Sequence, residues 1–129
     1  MFKTLIVEDS TFYRQLLKEA LNSRFPSMDI FEATDGEEAL QKIKTSLPDL
    51  IFVDIKLPGM NGLQLTKKIK DQYPTLPIVI LTAYDLPEYR EAAMQYKADY
   101  FLAKGSATKT SILTMVESIL SDLVRTRSV

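Results

Sequence analysis

One stretch limits what this chain can become: Leu50 to Gly62, reading LIFVDIKLPGMNG. Its first four residues, Leu50 to Val53, are apolar without a break, and a lone carboxylate, Asp54, follows. An unbroken apolar run of this length fits a strand covered on both faces, as in a parallel sheet with helices on either side. Pro58, Gly59, Asn61 and Gly62 then end the strand and open a loop. Asp54 is thereby placed where a central strand emerges at its carboxyl end, the edge at which open α/β sheets bind ligands.

The rest of the chain alternates strand and helix patterns around this stretch. Leu5, Ile6 and Val7 form a short apolar run that stops at Glu8 and Asp9. Phe12, Leu16, Leu17, Ala20 and Leu21 then recur at helical spacing, with Asp9 or Ser10 as the cap. Met28 to Ala33 reads as a second, mixed strand. Thr34 with Glu37 suggests a capping box before a stripe of Ala39, Leu40, Ile43 and Leu47. After the central loop, Leu65 and Ile69 face inward between Lys67, Lys68 and Lys70. Ile78 to Leu81 is another apolar run, ending at Thr82 and Ala83. Pro87 opens a helix carrying Tyr89, Ala92, Ala93 and Tyr96. Asp99 to Ala103 makes the fifth strand, closed by Lys104 and Gly105. Ser106 or Thr108 caps a last helix with Ile112, Leu113, Val116, Ile119, Leu120 and Leu123 inward. The polar end from Arg125 to Val129 is expected to fray.

Five strands alternating with five helices predict a doubly wound α/β sandwich of three layers. The first, third and fourth strands are purely apolar and belong in the middle. The second and fifth carry polar residues and belong at the edges. That selects the order 2-1-3-4-5, with a switch point between strands one and three where Glu8, Asp9 and Asp54 meet.

Composition narrows the chemistry at that point. With no cysteine and no histidine, the chain has no disulfide, thiolate metal site, imidazole base or phosphohistidine. Sixteen basic and seventeen acidic residues give a net charge of −1, which gives no nucleic-acid surface. No apolar run approaches the roughly 20 residues of a membrane span, and no signal peptide is visible. A cytoplasmic protein without direct nucleic-acid or membrane contact is the expectation.

Three carboxylates in one crevice repel one another, and a divalent cation is the simplest compensation. Oxygen ligands suit Mg2+, or Mn2+ in its place. Lys104 leaves the fifth strand at the same edge and can neutralise a carboxylate or grip a phosphate oxygen. The Thr82 hydroxyl can donate to phosphate. Taken singly, each residue has an ordinary explanation as a cap or a surface group. Together, a carboxylate nucleophile, a metal, a lysine and a hydroxyl are the parts of phosphoryl transfer to aspartate.

The motifs LIVED (Leu5 to Asp9), DGEEAL (Asp35 to Leu40), DIKLPGMNG (Asp54 to Gly62), PIVILTA (Pro77 to Ala83) and ADYFLAK (Ala98 to Lys104) occur in this order. With them the chain resembles the receiver (REC) domain of two-component response regulators, from Lys3 to roughly Val124. The resemblance implies a flavodoxin-like (βα)5 fold and a single receiver domain over residues 1–129, with the polar tail from about residue 125; no effector domain is expected within these residues, which are either a whole single-domain regulator or a piece of a longer one. It implies that Asp54 accepts a phosphoryl group from a sensor histidine kinase or phosphotransfer protein. Asp9, Asp54 and the Lys56 main-chain carbonyl would bind Mg2+, with Glu8 reaching it through water. Thr82 and Lys104 would hold the phosphate. Thr82 and Phe101 would form the switch that alters the face of the fourth helix, fifth strand and fifth helix. That face would contact an output domain, a partner protein or, on phosphorylation, a second copy. Two positions depart from the family pattern: Gly105 stands where proline usually follows the lysine, and the switch aromatic is Phe101, without a hydroxyl.

Such a domain is a signalling switch and not an enzyme with turnover. A Mg2+-dependent phosphatase of the haloacid dehalogenase (HAD) type is the first alternative, but it needs a second aspartate where Lys56 stands. A pseudo-receiver that only binds partners is the second, and the complete set of Glu8, Asp9, Asp54, Thr82 and Lys104 argues against it. In receivers the positions of Lys56 and Tyr84 tune phosphate loss. Neither residue is suited to orienting water, so a long-lived phosphorylated state is expected.

Overall fold

A computed structural model describes residues 1–128. It places Val7 beside Val53 and Leu5 beside Ile51 in a parallel pair, which sets the centre of the molecule. The elements in chain order are β1 (Lys3–Val7), α1 (Thr11–Arg24), β2 (Asp29–Ala33), α2 (Gly36–Thr45) and β3 (Leu50–Val53), followed by α3 (Gly62–Gln72), β4 (Ile78–Thr82), α4 (Pro87–Gln95), β5 (Tyr100–Ala103) and α5 (Lys109–Arg127). All strand pairs are parallel and the order is β2-β1-β3-β4-β5, as polarity predicts. Every residue of β3 and β4 is buried, whereas the edge strands β2 and β5 bury only their last residue.

Alternation along the central strands feeds two cores. Leu5, Val7, Ile51 and Val53 pack on Ala39, Ile43, Leu65 and Ile69 from α2 and α3. Ile6, Phe52, Val79 and Leu81 pack on α1 and α5 through Leu17, Leu21, Ile112 and Val116. A third cluster joins Ile80 and Leu63 to Ala93, with Tyr89, Tyr96 and Phe101 partly buried against it. Burial of each Leu, Ile, Val or Phe side chain is worth about 1.5–3 kcal/mol, so exchanging a central strand for polar β2 or β5 would forfeit several such contributions.

Several expectations need correcting. Phe12 and Leu16 are exposed, at 77% and 50%; α1 turns Leu17 and Leu21 inward and presents Tyr13 at the rim of the same core. Of the two expected caps of α1, Ser10 is the one used, accepting from Tyr13 N–H at 3.2 Å. The cap of α2 is Asp35, accepting from Glu38 N–H at 2.8 Å, not Thr34. Glu38, not Glu37, reaches back, to the Thr34 N–H at 2.7 Å. That bond is the main cause holding the Glu38 pKa below its ordinary value; desolvation opposes it, and the pair to Lys42 adds to the lowering. Leu47 lies beyond α2 and is exposed.

Lys70 is buried, unlike Lys67 and Lys68. Its ammonium stands 2.8 Å from Asp99 Oδ2, which also accepts from Ile78 N–H at 2.8 Å. The pair ties the end of α3 to the starts of β4 and β5. Residues Arg125 to Arg127 remain helical: Arg125 pairs with Asp122, and Arg127 with Asp49 at 2.5 Å. Val129 of the expected frayed end lies outside the described residues. Among the described residues no helix is long and apolar enough to cross a membrane.

Candidate functional site

The β1/β3 register that aligns Val7 with Val53 brings the next residues, Glu8 and Asp54, level at the carboxyl edge. Asp54 N–H still donates to Val7 C=O at 3.0 Å, and Glu8 N–H donates to Ala33 C=O at 3.0 Å. The side chains are therefore held by strand backbone and not by a free loop. Both are buried, at 4% and 8% exposure.

Lys104 reaches the same point from the end of β5, fixed by its N–H bond to Thr82 C=O at 2.8 Å. Its Nζ lies 2.6 Å from Glu8 Oε1 and 3.1 Å from Asp54 Oδ2. Burial pushes the Glu8 carboxyl above its ordinary value and the Asp54 charge adds to the rise; bonds from Lys104 and the Ser10 N–H only offset it. Burial also opposes the Lys104 charge, but the hydrogen bond to Glu8 and the fields of Asp54 and Glu8 prevail and raise its pKa. The two shifts are not mirror images because Glu8 is the more deeply buried partner, with a side chain 6% exposed against 16% for Lys104.

One atom of this cluster stands alone. Asp54 Oδ1 is buried and has no hydrogen-bond partner among the described residues. An orphaned buried carboxylate oxygen loses its hydration without compensation. Its sister oxygen is engaged by Lys104, so Oδ1 is the carboxylate oxygen left without a partner.

The remaining expected residues are placed as follows. Thr82 is fully buried at the end of β4, and its Oγ1 accepts from Tyr84 N–H at 3.3 Å, which leaves the hydroxyl proton to donate elsewhere. Lys56 is exposed, with Nζ 5.8 Å from the Tyr84 ring centre. Tyr84 is exposed and meets Tyr89 edge to face at 6.1 Å. Phe101 is half-buried under the Arg90 guanidinium, 4.7 Å from its ring centre. Arg90 is itself held by Asp85 at 2.5 Å. Asp9 is exposed and is not drawn in with Glu8 and Asp54. No three carboxylates among the described residues form a ready metal-binding group. The peptide bond between Lys104 and Gly105 is trans, and a side chain at Gly105 would meet open space.

Sequence reasoning missed Tyr13. Its ring centre lies 4.1 Å from Lys104 Nζ. Burial raises its phenol pKa despite the opposing pull of Lys104, so the ring stays neutral near pH 7. The available clue was its place in α1, four residues after Asp9, where a helix starting at that edge turns back toward it.

Gly62 supports the site from below. A Cβ there would come within 2.0 Å of the Asp54 carbonyl oxygen and 2.9 Å of Ile55 Cα. The start of α3 is thereby pressed against the backbone of Asp54. Gly59, with φ +73°, makes the turn that brings it there.

Comparison with known proteins agrees with this arrangement. The family model described as the response regulator receiver domain matches residues 4–117. An uncharacterized response regulatory protein of Staphylococcus epidermidis is 37% identical over 97% of this chain and 47% of its own length. The structure of a CheY-like receiver domain protein from Methanospirillum hungatei superposes with a TM-score of 0.88 at 26% identity, covering 97% of this chain and 98% of that one. The Mn2+-bound form of the response regulator Rcp1 superposes with a TM-score of 0.80 at 25% identity, covering 94% and 93%. The chain spans from 20% to 47% of the length of the curated relatives it matches.

Proposed function

Because this chain belongs to the response regulator receiver domain family of two-component systems, we propose that it is a phosphorylation-controlled switch with Asp54 as its phosphoacceptor. The observation that carries the reading is the orphaned Asp54 Oδ1 beside the Lys104 ammonium. In the transfer, an Oδ1 electron pair forms the bond to phosphorus. The bond from phosphorus to the donor's leaving atom breaks, and the donor keeps that electron pair. Lys104, already at 3.1 Å from the sister oxygen, is placed to meet a phosphoryl oxygen, and the free Thr82 O–H to donate to another.

The donor types fit a hard divalent cation: the Asp54 carboxylate and the Lys56 carbonyl in the β3–α3 loop, and the Asp9 carboxylate in the β1–α1 loop at the same sheet edge. Mg2+ or Mn2+ held there, with Glu8 acting through water, would neutralise charge on the transferring group. The donor is a sensor histidine kinase or phosphotransfer protein. Phosphate drawn toward Thr82 and Lys104 shifts Phe101 and the α4-β5-α5 face, which then contacts an output domain, a partner or a second copy. Residues 1–129 act as one receiver domain, in the cytoplasm, without substrate turnover.

The test is a small phosphodonor, acetyl phosphate, with Mg2+. The wild type should gain one phosphoryl group and keep it long enough to weigh, and both chelator and Asp54→Asn should abolish the gain. Equal incorporation in Asp54→Asn sinks the assignment. Continuous phosphate release would favour the phosphatase reading, and no reaction the pseudo-receiver.

A second expected result concerns how long the phosphate lasts. Hydrolysis needs water in line with the leaving carboxylate, and we assign the obstruction of that line to Lys56, two residues after Asp54, and Tyr84, two after Thr82, whose Nζ and ring centre lie 5.8 Å apart. Replacing both, Lys56→Asn with Tyr84→Glu, should speed phosphate loss on the order of tenfold, within what correct placement of a reactant can supply. A decay that is unchanged or slower in the double variant rules out shielding. A slow decay suits lasting outputs such as transcription.

A further inference from the structure

We infer that Tyr13 is a positioning residue for phosphoryl uptake: its ring face holds the Lys104 ammonium over the Glu8 and Asp54 carboxylates. The inference rests on Asp54 being the phosphoacceptor. Lys104 ends a long flexible stem, and an ammonium spends three N–H groups on whatever surrounds it. Two sides are taken by Glu8 Oε1 at 2.6 Å and Asp54 Oδ2 at 3.1 Å. The Tyr13 ring, at 4.1 Å, is the third contact, and the electron-rich face of an aromatic ring attracts a cation at this range.

The ring is itself fixed. Tyr13 N–H donates to the Ser10 hydroxyl that caps α1, and Ser10 N–H donates to Glu8 Oε2 at 3.0 Å. Arg14, the next residue, donates to Glu8 C=O at 2.8 Å and pairs with Glu32 at 3.0 Å. The first turn of α1 is thus bolted to the residue that shares Lys104 with Asp54. The Tyr13 side chain makes no hydrogen bond among the described residues, so its ring, not its hydroxyl, is the working part.

Position adds a second reason. A groove of about 490 Å³ runs between α1 and the β5-α5 turn, lined by Tyr13, Leu16, Lys104, Ala107, Lys109 and Ile112. Lys104 borders this open groove, and Tyr13 stands at the boundary between it and the buried carboxylates. Without the ring, the ammonium can swing into the groove and exchange its carboxylate partners for water. It would then be absent when the phosphoryl group arrives.

Two variants separate ring face from bulk and from hydroxyl. Tyr13→Phe keeps the face, and Tyr13→Leu keeps an apolar filler without it. Nitrogen-15 labelling of lysine reads Lys104 directly, because an ammonium held in place exchanges its protons slowly enough to be seen and a solvated one does not. Acetyl phosphate uptake at fixed Mg2+ is the second readout. Tyr13→Phe should keep both near the wild type. Tyr13→Leu should lose the slow ammonium signal and take up phosphate about fivefold more slowly, the scale of one cation–π contact. The inference is overturned if Tyr13→Leu leaves either readout unchanged, or if Tyr13→Phe falls as far as Tyr13→Leu. A wild type that takes no phosphate sinks the phosphoacceptor assignment and the role in uptake with it, and the ammonium signal then reports only whether the ring holds Lys104.

Discussion

Gly62→Ala should lower the stability of the chain by about 3 kcal/mol or more, at the upper end of what overpacking costs. The added methyl would meet the Asp54 carbonyl oxygen at 2.0 Å, its carbon at 2.8 Å and Ile55 Cα at 2.9 Å. All three are backbone atoms, so no rotamer change relieves the clash. Backing α3 away is also obstructed, because Gly62 N–H donates to Ile55 C=O at 2.8 Å and Leu63 and Leu65 are buried. The alternative is to push Asp54, which displaces the carboxylate proposed as phosphoacceptor. Phosphoryl uptake should then fall by up to about a hundredfold, the effect of a misplacement near 1 Å. Thermal or urea unfolding read beside acetyl phosphate labelling measures both consequences, with a drop in midpoint of about 10 °C expected for a domain this size. Gly105→Ala is the control. It meets nothing within 4 Å and has no left-handed backbone to lose, so it should be neutral or raise stability by about 0.4–1 kcal/mol. A Gly62→Ala chain with the wild-type midpoint would refute the close-approach argument.

The architecture could be read because strands buried on both faces leave a compositional mark. Leu5 to Val7, Leu50 to Val53 and Ile78 to Leu81 carry no polar residue, and they are the three inner strands of the sheet. The chemical edge could be read for a related reason. Each inner strand stops at a polar residue, Glu8, Asp54 or Thr82, and parallel pairing puts all strand ends on one side. Helix phase was less legible. In α1, Phe12, Leu16 and Leu17 are all apolar, and spacing alone cannot say which arc of a widely apolar helix meets the sheet. The answer depends on how the helix docks, which buries Leu17 and Leu21 and leaves Phe12 outside.

Contacts between residues distant in sequence left no mark at all. Nothing distinguishes Lys70 from Lys67 and Lys68 until Asp99, far along the chain, arrives beside it. Tyr13 is equally silent until β5 delivers Lys104. Asp9 was grouped with Glu8 and Asp54 by adjacency, but strand pairing stops at Val7 and the Glu8 backbone bond, so Asp9 stays at the surface. Gly62 looked like an ordinary loop residue after Asn61, and only the packing of α3 on Asp54 gives it its constraint.

Lys104→Met should be the costliest single change at the carboxyl edge of the sheet, and its cost should depend on pH. Methionine keeps most of the stem but removes the charge that stands between Glu8 and Asp54. Stripping one partner from a buried ion cluster costs about 3–5 kcal/mol, because the charges left behind are neither hydrated nor paired. The sign of the pH dependence follows from Glu8. Its folded-state pKa is already raised by burial and by Asp54, and the lysine bond was among the contributions holding it down. Without Lys104 it rises further. A group whose pKa is raised by folding stabilises the fold fully only below its unfolded value, here 4.5, and loses that contribution as pH climbs through the folded value. The deficit of the variant should therefore be full at neutral pH and shrink as pH falls toward 4.5, where Glu8 takes up a proton. It should shrink at the alkaline end too, because the wild-type lysine, with its own raised pKa, loses its charge there. Urea unfolding across this range, in chelator so that no divalent cation replaces the ammonium, gives the profile. Asp54→Asn supplies the cross-check: with one of the two carboxylates neutral, Lys104→Met should cost distinctly less, and the difference is the coupling between the two sites. A deficit that is flat with pH, or equal in the two backgrounds, would mean that Lys104 acts there only as packing.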